Sequence, residues 1–247
     1  MSDRKISTHI LGFPRMGAHR ELKFALEKHW RGEIDASALE NVAAELRAAH
    51  WKKQADAGLA YVSVGDFAFY DQVANHIQLL GAEPARYGFS GQEPELQRYF
   101  RMARGSGDAA HVHGAGCGCG GQNPVSEASQ LALEMTKWFD TNYHYLVPEF
   151  THDTEFKLGS ERLFAEVAQA QSLGHKVKAV LLGPLSFLYL GKEKSEGLDR
   201  FSLLPKLLPV YEQILSKLKA QGVEWVQIDE PILGLDLPDQ RLQTHPT

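Results

Sequence analysis

The feature that most restricts the fold is a strand–helix–strand unit in the last third of the chain. Residues 177–182 form a nearly continuous apolar run, the pattern of a strand covered on both faces. Leu204, Leu207, Leu208, Tyr211, Ile214, Leu215 and Leu218 then recur at helical spacing, and Gly222 supplies the stop. A second strand-like run, residues 224–228, leads into Asp229, Glu230 and Pro231. Two strands joined through a long helix run parallel and share a sheet, which sets the class as α/β.

The same alternation runs back to the start. Residues 8–14 read as a strand broken by Pro14 and Gly17, followed by a helix with Leu22, Leu26 and Trp30 on one face. Ser37 and Glu40 have the spacing of a capping box ahead of a second helix, which leads to a strand at 60–64. Asp71 is placed to cap a short helix carrying Val73, Ile77 and Leu80, with Gly81 as its stop. Residues 83–123 read as an excursion rich in Gly, Pro and polar residues. A helix is expected over 126–140, a strand over 143–147, and a helix with Leu163, Phe164, Val167 and Ala170 ahead of Gly174.

Five strands result, each followed by polar, Gly or Pro residues, where barrels and doubly wound sheets place their sites. No G-x-G-x-x-G stands between a strand-like run and a helix, the one match at 116–121 being part of a Gly-rich insert, and no G-x-x-x-x-G-K occurs, which argues against a nucleotide-binding open sheet. The expected architecture is a (β/α)8 barrel of the TIM type, left incomplete because five strands are spent by Ile228. Its first and fifth strands would then present open edges.

Charge narrows the partners. With 26 Lys and Arg against 31 Asp and Glu, the net charge of −5 gives no overall positive field for nucleic acid or an anionic membrane. The apolar run from 177 is interrupted by Gly183 and Pro184, too soon to span a bilayer, and the first ten residues have no apolar signal region. Two cysteines are too few for a disulfide framework, so a cytoplasmic protein is expected.

Several residues could carry chemistry. Arg15, Arg20 and Lys23 sit where a loop meets a helix start, so cationic side chains and backbone N–H groups could converge on an anion; the alternative is a solvated helix start with Lys23 paired to Glu27. Asp229 and Glu230 could form an acid/base pair, but adjacent strand residues point to opposite faces and Pro231 signals a turn. Asp66 could act at a strand end or serve an Asx turn, and His144 reads as a hydrogen-bonded structural residue sooner than a base. In a Gly-rich insert spanning 103–128, His111, His113, Cys117 and Cys119 offer four nitrogen and sulfur ligands, the number a tetrahedral zinc takes. Reduced, unliganded thiols are the other reading.

Five tracts in order resemble cobalamin-independent methionine synthases: HILGFPRMGAHRELK from His9, VGDFAFYD from Val64, EMTKWFDTNYHYLVPEF from Glu134, GHKVKAVLLGPLSFLYLGK from Gly174 and GVEWVQIDEP from Gly222. The likeness covers nearly the whole chain outside the insert and the tail. It implies the amino-terminal, folate-binding barrel of an enzyme that moves a methyl group from 5-methyltetrahydrofolate polyglutamate to homocysteine. It further implies that Arg20, Glu21, Leu22, Lys23 and Lys137 contact the folate tail, whose carboxylates suit charge-assisted hydrogen bonds from Lys and Arg. The family's zinc and homocysteine belong to its carboxyl-terminal barrel, and no counterpart of those zinc ligands is present here. The 247-residue chain is therefore expected to bind folate without catalysing transfer alone. A stand-alone folate-binding subunit and a metal-handling module built on the His/Cys insert are the alternatives.

Overall fold

The computed structural model describes residues 6–106 and 131–236. Its centre is a parallel sheet of three strands, β1 (Val62–Val64), β5 (Val177–Leu182) and β7 (Trp225–Asp229), in the order β1-β5-β7. Val62 pairs with Val177 and Val180 with Gln227, so β5 lies in the middle. All six of its residues are buried, as its apolar run requires. β5 and β7 flank the expected crossover helix, numbered α7 here (Leu204–Ala220). Leu207, Tyr211, Ile214 and Leu218 are buried, whereas Leu208 and Leu215 lie on its half-open side.

Apart from the one expected over 126–140, the predicted helices form where the spacing placed them. α1 (Glu21–Trp30) and α2 (Ala36–Asp56) form an adjacent helical pair. α2 begins earlier than the Ser37/Glu40 box implies: Asp35 is its N-cap, accepting from the Ala38 N–H at 2.7 Å, while Glu40 pairs with Arg162 at 3.1 Å. α3 (Gln72–Leu79) is capped by Asp71 as expected. α4 (Glu95–Arg104) corrects the reading of 83–123 as an excursion over residues 95–104, since Leu96, Tyr99, Phe100 and Met102 form a buried stripe through its polar sequence; 107–123 lie outside the described residues. α5 (Arg162–Ser172) buries Leu163, Phe164, Val167 and Ala170, and α6 (Pro184–Leu190) follows β5 directly.

Two strand expectations change. Residues 8–14 form no ladder, because side chains reaching from the sheet take their backbone groups, as described below. Residues 135–137 are strand β2 (Met135–Lys137) and not the end of a helix; β2 pairs antiparallel with β3 (His144–Leu146). The hairpin is held from outside by Asp71, which accepts from the Leu146 N–H at 3.1 Å, and its own pairing extends to the Val147 N–H donating to the Glu134 carbonyl at 2.8 Å. The strand expected over 143–147 therefore leaves the parallel sheet. A short parallel contact joins β4 (Glu149–Phe150) to β6 (Lys192–Glu193).

The β1 edge is not open. Trp51 Nε1 donates to the Ser63 carbonyl and Gln54 accepts from the Ser63 N–H, both at 2.9 Å. β7 has no strand beyond it among the described residues, and Trp225 and Ile228 are 59% and 45% exposed. The architecture is α/β with a short parallel sheet and no closed barrel among the described residues.

Candidate functional site

The sheet fixes the amino-terminal segment through side chains. Lys178 Nζ and Ser63 Oγ both donate to the Ile10 carbonyl, Gln227 donates to that of Leu11 at 3.0 Å, and Asp66 accepts from the Phe13 N–H at 2.6 Å. Each of these four groups comes from one of the three parallel strands or the residues just beyond it. Together they deliver the loop from Pro14 to Arg20 to the carboxyl-terminal ends of the strands. Lys178 is buried but keeps its ammonium hydrogen-bonded to Ile10 and Gln227, beside His9. Burial pushes its pKa down, opposed by the charges of Asp229 and Asp66. Burial also raises Asp66 to about 6, against the hydrogen bond from Phe13.

The loop turns through Gly17 at φ 82°, where a Cβ would stand 2.1 Å from Glu21 Oε2. That carboxylate folds back to accept from the His19 N–H at 2.9 Å. Backbone hydrogen bonds from Glu21 itself and His19 hold its pKa below the usual range. The Leu22 N–H donates to the Met16 carbonyl at 3.2 Å. The start of α1 is thus occupied by its own Glu21 rather than presented as an open cradle of amides. Arg20, at the N-cap, adopts a left-handed conformation with φ 63°. Arg20 and Lys23 are exposed, Glu21 is half-buried and Leu22 is buried in the core. Lys23 lies 3.8 Å from Glu27 across one helical turn, as its spacing suggested.

The second cationic tract stands on the hairpin. Lys137 is exposed and faces His144 in the ladder, and the turn closes through a 2.7 Å bond from the Trp138 N–H to the Tyr143 carbonyl. Phe139 within this turn has φ 48°. Arg20 and Phe139 are the two non-glycine residues with positive φ among the described residues, and they fall one in each tract. Arg15, in the first tract, interacts with Tyr143 of the second. Its guanidinium faces the Tyr143 phenol and counters the rise in that group's pKa caused by partial burial. It also opposes the rise of buried Asp71, which burial takes to about 6. Asp71 caps α3 through Ala74 and holds the hairpin through Leu146, so one carboxylate sets the height of both.

Tyr99 was not singled out in the sequence, yet its hydroxyl accepts from the Tyr70 and Asp71 N–H groups at 3.0 and 3.2 Å. Only its place on the apolar face of α4 could have marked it. His144 is exposed and engages the Asn142 carbonyl through Nδ1 at 3.0 Å, a local turn contact. Glu230 caps α6, accepting from the Leu185 and Ser186 N–H groups at 3.0 and 2.8 Å. It packs so closely that a Cβ on Gly183 would lie 2.1 Å from its carboxyl carbon. Asp229 remains in the strand, with its side chain accepting from Gln227 at 2.8 Å. The two carboxylates are separated into different structural roles, as the alternation of strand side chains requires.

His111, His113, Cys117 and Cys119 lie outside the described residues. Among those described, no three His, Cys, Asp or Glu side chains gather in a way that could hold a metal. Among the described residues, Asp66 and Asp229 stand with the ammonium of Lys178. Among the described residues, no helix is long and apolar enough to cross a membrane.

Comparison with known proteins finds close sequence relatives. The chain is 56% identical over 239 residues to the 5-methyltetrahydropteroyltriglutamate–homocysteine methyltransferase of Photobacterium profundum, covering 96% of this chain and 28% of that protein. It is 53% identical over 234 residues to the enzyme of the same name from Vibrio parahaemolyticus, covering 95% of this chain and 29% of the relative. The Vibrio cholerae enzyme is also 53% identical, over 233 residues, with 94% of this chain and 28% of the relative covered. The chain thus spans less than a third of the length of these relatives. Residues 7–246 match the family described as cobalamin-independent synthase, N-terminal domain, and the chain belongs to that family.

Proposed function

We propose that this chain supplies the folate-tail-binding part of a methyl transfer from 5-methyltetrahydrofolate polyglutamate to homocysteine. The observation that carries the proposal is the position of the two left-handed residues, Arg20 and Phe139, in the two cationic tracts that Arg15 and Tyr143 bring to one end of the sheet. A non-glycine residue in that conformation costs about 1–3 kcal/mol, and such strain concentrates at binding sites. Exposed Arg20, Lys23 and Lys137 can then meet successive carboxylates of a polyglutamate by charge-assisted hydrogen bonds. Glu21 holds the loop, and Leu22 anchors α1 in the core. In this reading the fold is the amino-terminal portion of a (β/α)8 barrel, with residues 103–128 inserted into it.

Sulfur activation belongs to zinc chemistry outside this chain's described residues, and no step is assigned to them beyond binding and orienting folate. Purified chain supplied with methyltetrahydrofolate and homocysteine should therefore form no methionine, and methionine formation would contradict this division of labour. Calorimetry with methyltetrahydrofolate triglutamate tests the binding role. Lys23→Ala and Lys137→Ala should each weaken affinity about tenfold, the scale of one hydrogen bond to a charged group. Parent-like affinity in both variants would remove the assignment.

A further inference from the structure

The hairpin that carries Lys137 has a second side. There, between the hairpin, the end of α6 and β6, a cleft of about 400 Å³ opens, and Lys137, Phe139, Asp140, Tyr189, Lys192 and Arg200 are among its lining, three cations against one carboxylate. Its floor is aromatic. Phe139 stacks on Tyr189 with centroids 6.0 Å apart and planes 11° from parallel, and the Arg200 guanidinium lies 5.6 Å from the Tyr189 centroid. Trp138 meets Phe139 edge-on at 5.2 Å and Tyr145 at 6.0 Å, while the Tyr145 hydroxyl donates to the Leu190 carbonyl at 2.9 Å. The left-handed Phe139 is therefore the residue that turns the hairpin onto this floor.

The cations around the floor differ in what already holds them. Among the described residues Lys137 has no ion pair. Lys192 pairs with Glu134, but both side chains are about half exposed, so water screens the pair and another carboxylate can exchange into it. Arg200 is held more firmly, with its side chain 21% exposed, Nε 3.2 Å from Glu193 and Nη1 donating to the Gly191 carbonyl. A guanidinium has five N–H donors, so this anchorage leaves donors for a ligand while fixing the group's plane. An apolar floor with a fixed cation at its edge matches a γ-linked glutamate, whose methylene arm can lie on aromatic rings while its α-carboxylate meets the charge.

We propose that this cleft is an additional carboxylate subsite that reads the length of the folate tail, taking one γ-glutamyl unit more than Arg20, Lys23 and Lys137 hold, with Arg200 as the residue that selects for it. The proposal rests on the tail-binding reading above. Lys137 lines the cleft and, in this proposal, serves both regions. The ligand carboxylate shares Arg200 with Glu193 rather than displacing it.

Calorimetry of the 247-residue chain with methyltetrahydrofolate mono-, tri- and pentaglutamate tests the subsite. Arg200→Ala should weaken the pentaglutamate about tenfold and leave the monoglutamate within twofold of the parent. Arg200→Gln, which keeps a donor for the Gly191 carbonyl, should reproduce this selective loss in a chain with parent-like thermal unfolding. Equal losses at all three lengths, or none on the pentaglutamate, would overturn the proposal. The two readings fail separately. If Lys23→Ala and Lys137→Ala weaken the triglutamate while Arg200→Gln leaves the pentaglutamate untouched, the cleft is not a subsite though the tail site stands. If neither lysine substitution has an effect, the tail reading falls with it.

Discussion

Arg20 holds a left-handed conformation at the head of α1, and a glycine there would relieve it. Arg20→Gly should therefore be more stable than Arg20→Ala by about 1 kcal/mol in urea unfolding, while both lose affinity for a polyglutamylated folate. Equal stability would mean the conformation carries no strain. Gly17 makes the opposite case, since Gly17→Ala sets a Cβ against Glu21 at positive φ and should cost about 1–3 kcal/mol. Titration gives a further residue-scale test. Asp66 is raised to about 6, so its protonation favours the fold: that contribution is complete below the unfolded value near 3.8 and is lost as pH rises through 6. Asp66→Asn keeps an acceptor for the Phe13 N–H and should gain stability relative to the parent by about 2 kcal/mol between pH 4 and pH 7.5, followed by urea unfolding at each pH. His76 works in the other direction. It is buried with Nε2 accepting from the Leu182 N–H, and burial lowers it to about 4, so its contribution is present above 6.5 and is lost as pH falls toward 4. A parent that gained the full carboxylate benefit on acidification, with no His76 offset, would contradict this pair of assignments.

Elements were legible in the sequence where periodicity alone decides them. The strand at 177–182, the helix after it and the Asp71 cap are local signals, and the structure keeps all three. The first expected strand failed because its partners are side chains: Lys178, Ser63, Gln227 and Asp66 take backbone groups a ladder would have used. The helix expected to run through 140 failed because the hairpin is held by Asp71, 75 residues from Leu146, and no window of sequence contains both. α4 was hidden because Arg and Glu residues surround its apolar stripe, and those charges pair with neighbours such as Glu83, 3.0 Å from Arg98. Of the candidate site, the cationic tracts could be read directly, but their connection through Arg15 and Tyr143 could not. The coupling of Asp71 to Tyr99 makes an element-scale prediction. Tyr99→Phe removes the acceptor for one buried and one half-buried N–H group, so it should cost about 1–3 kcal/mol and loosen the α3 cap and the hairpin together. Hydrogen exchange should speed up at Tyr70, Asp71 and Leu146, and acceleration confined to α4 would disprove the coupling.

Across the whole molecule, three parallel strands, the helices packed on them and the hairpin direct loops from distant parts of the chain to one end of the sheet. At the other boundary, Trp225 and Ile228 on β7 remain exposed. An apolar strand edge of this kind promotes association. Trp225→Lys combined with Ile228→Lys should thus reduce self-association in sedimentation velocity without changing folate affinity. The central claim is that the RELK tract and the hairpin lysine act on one polyanionic tail. Its most direct test is the ratio of affinities for methyltetrahydrofolate triglutamate and monoglutamate, measured calorimetrically on the parent chain and on Lys23→Ala/Lys137→Ala. The account predicts a parent that prefers the triglutamate by about tenfold or more and a double variant in which the ratio falls to about one. A preference that survives both substitutions would contradict it.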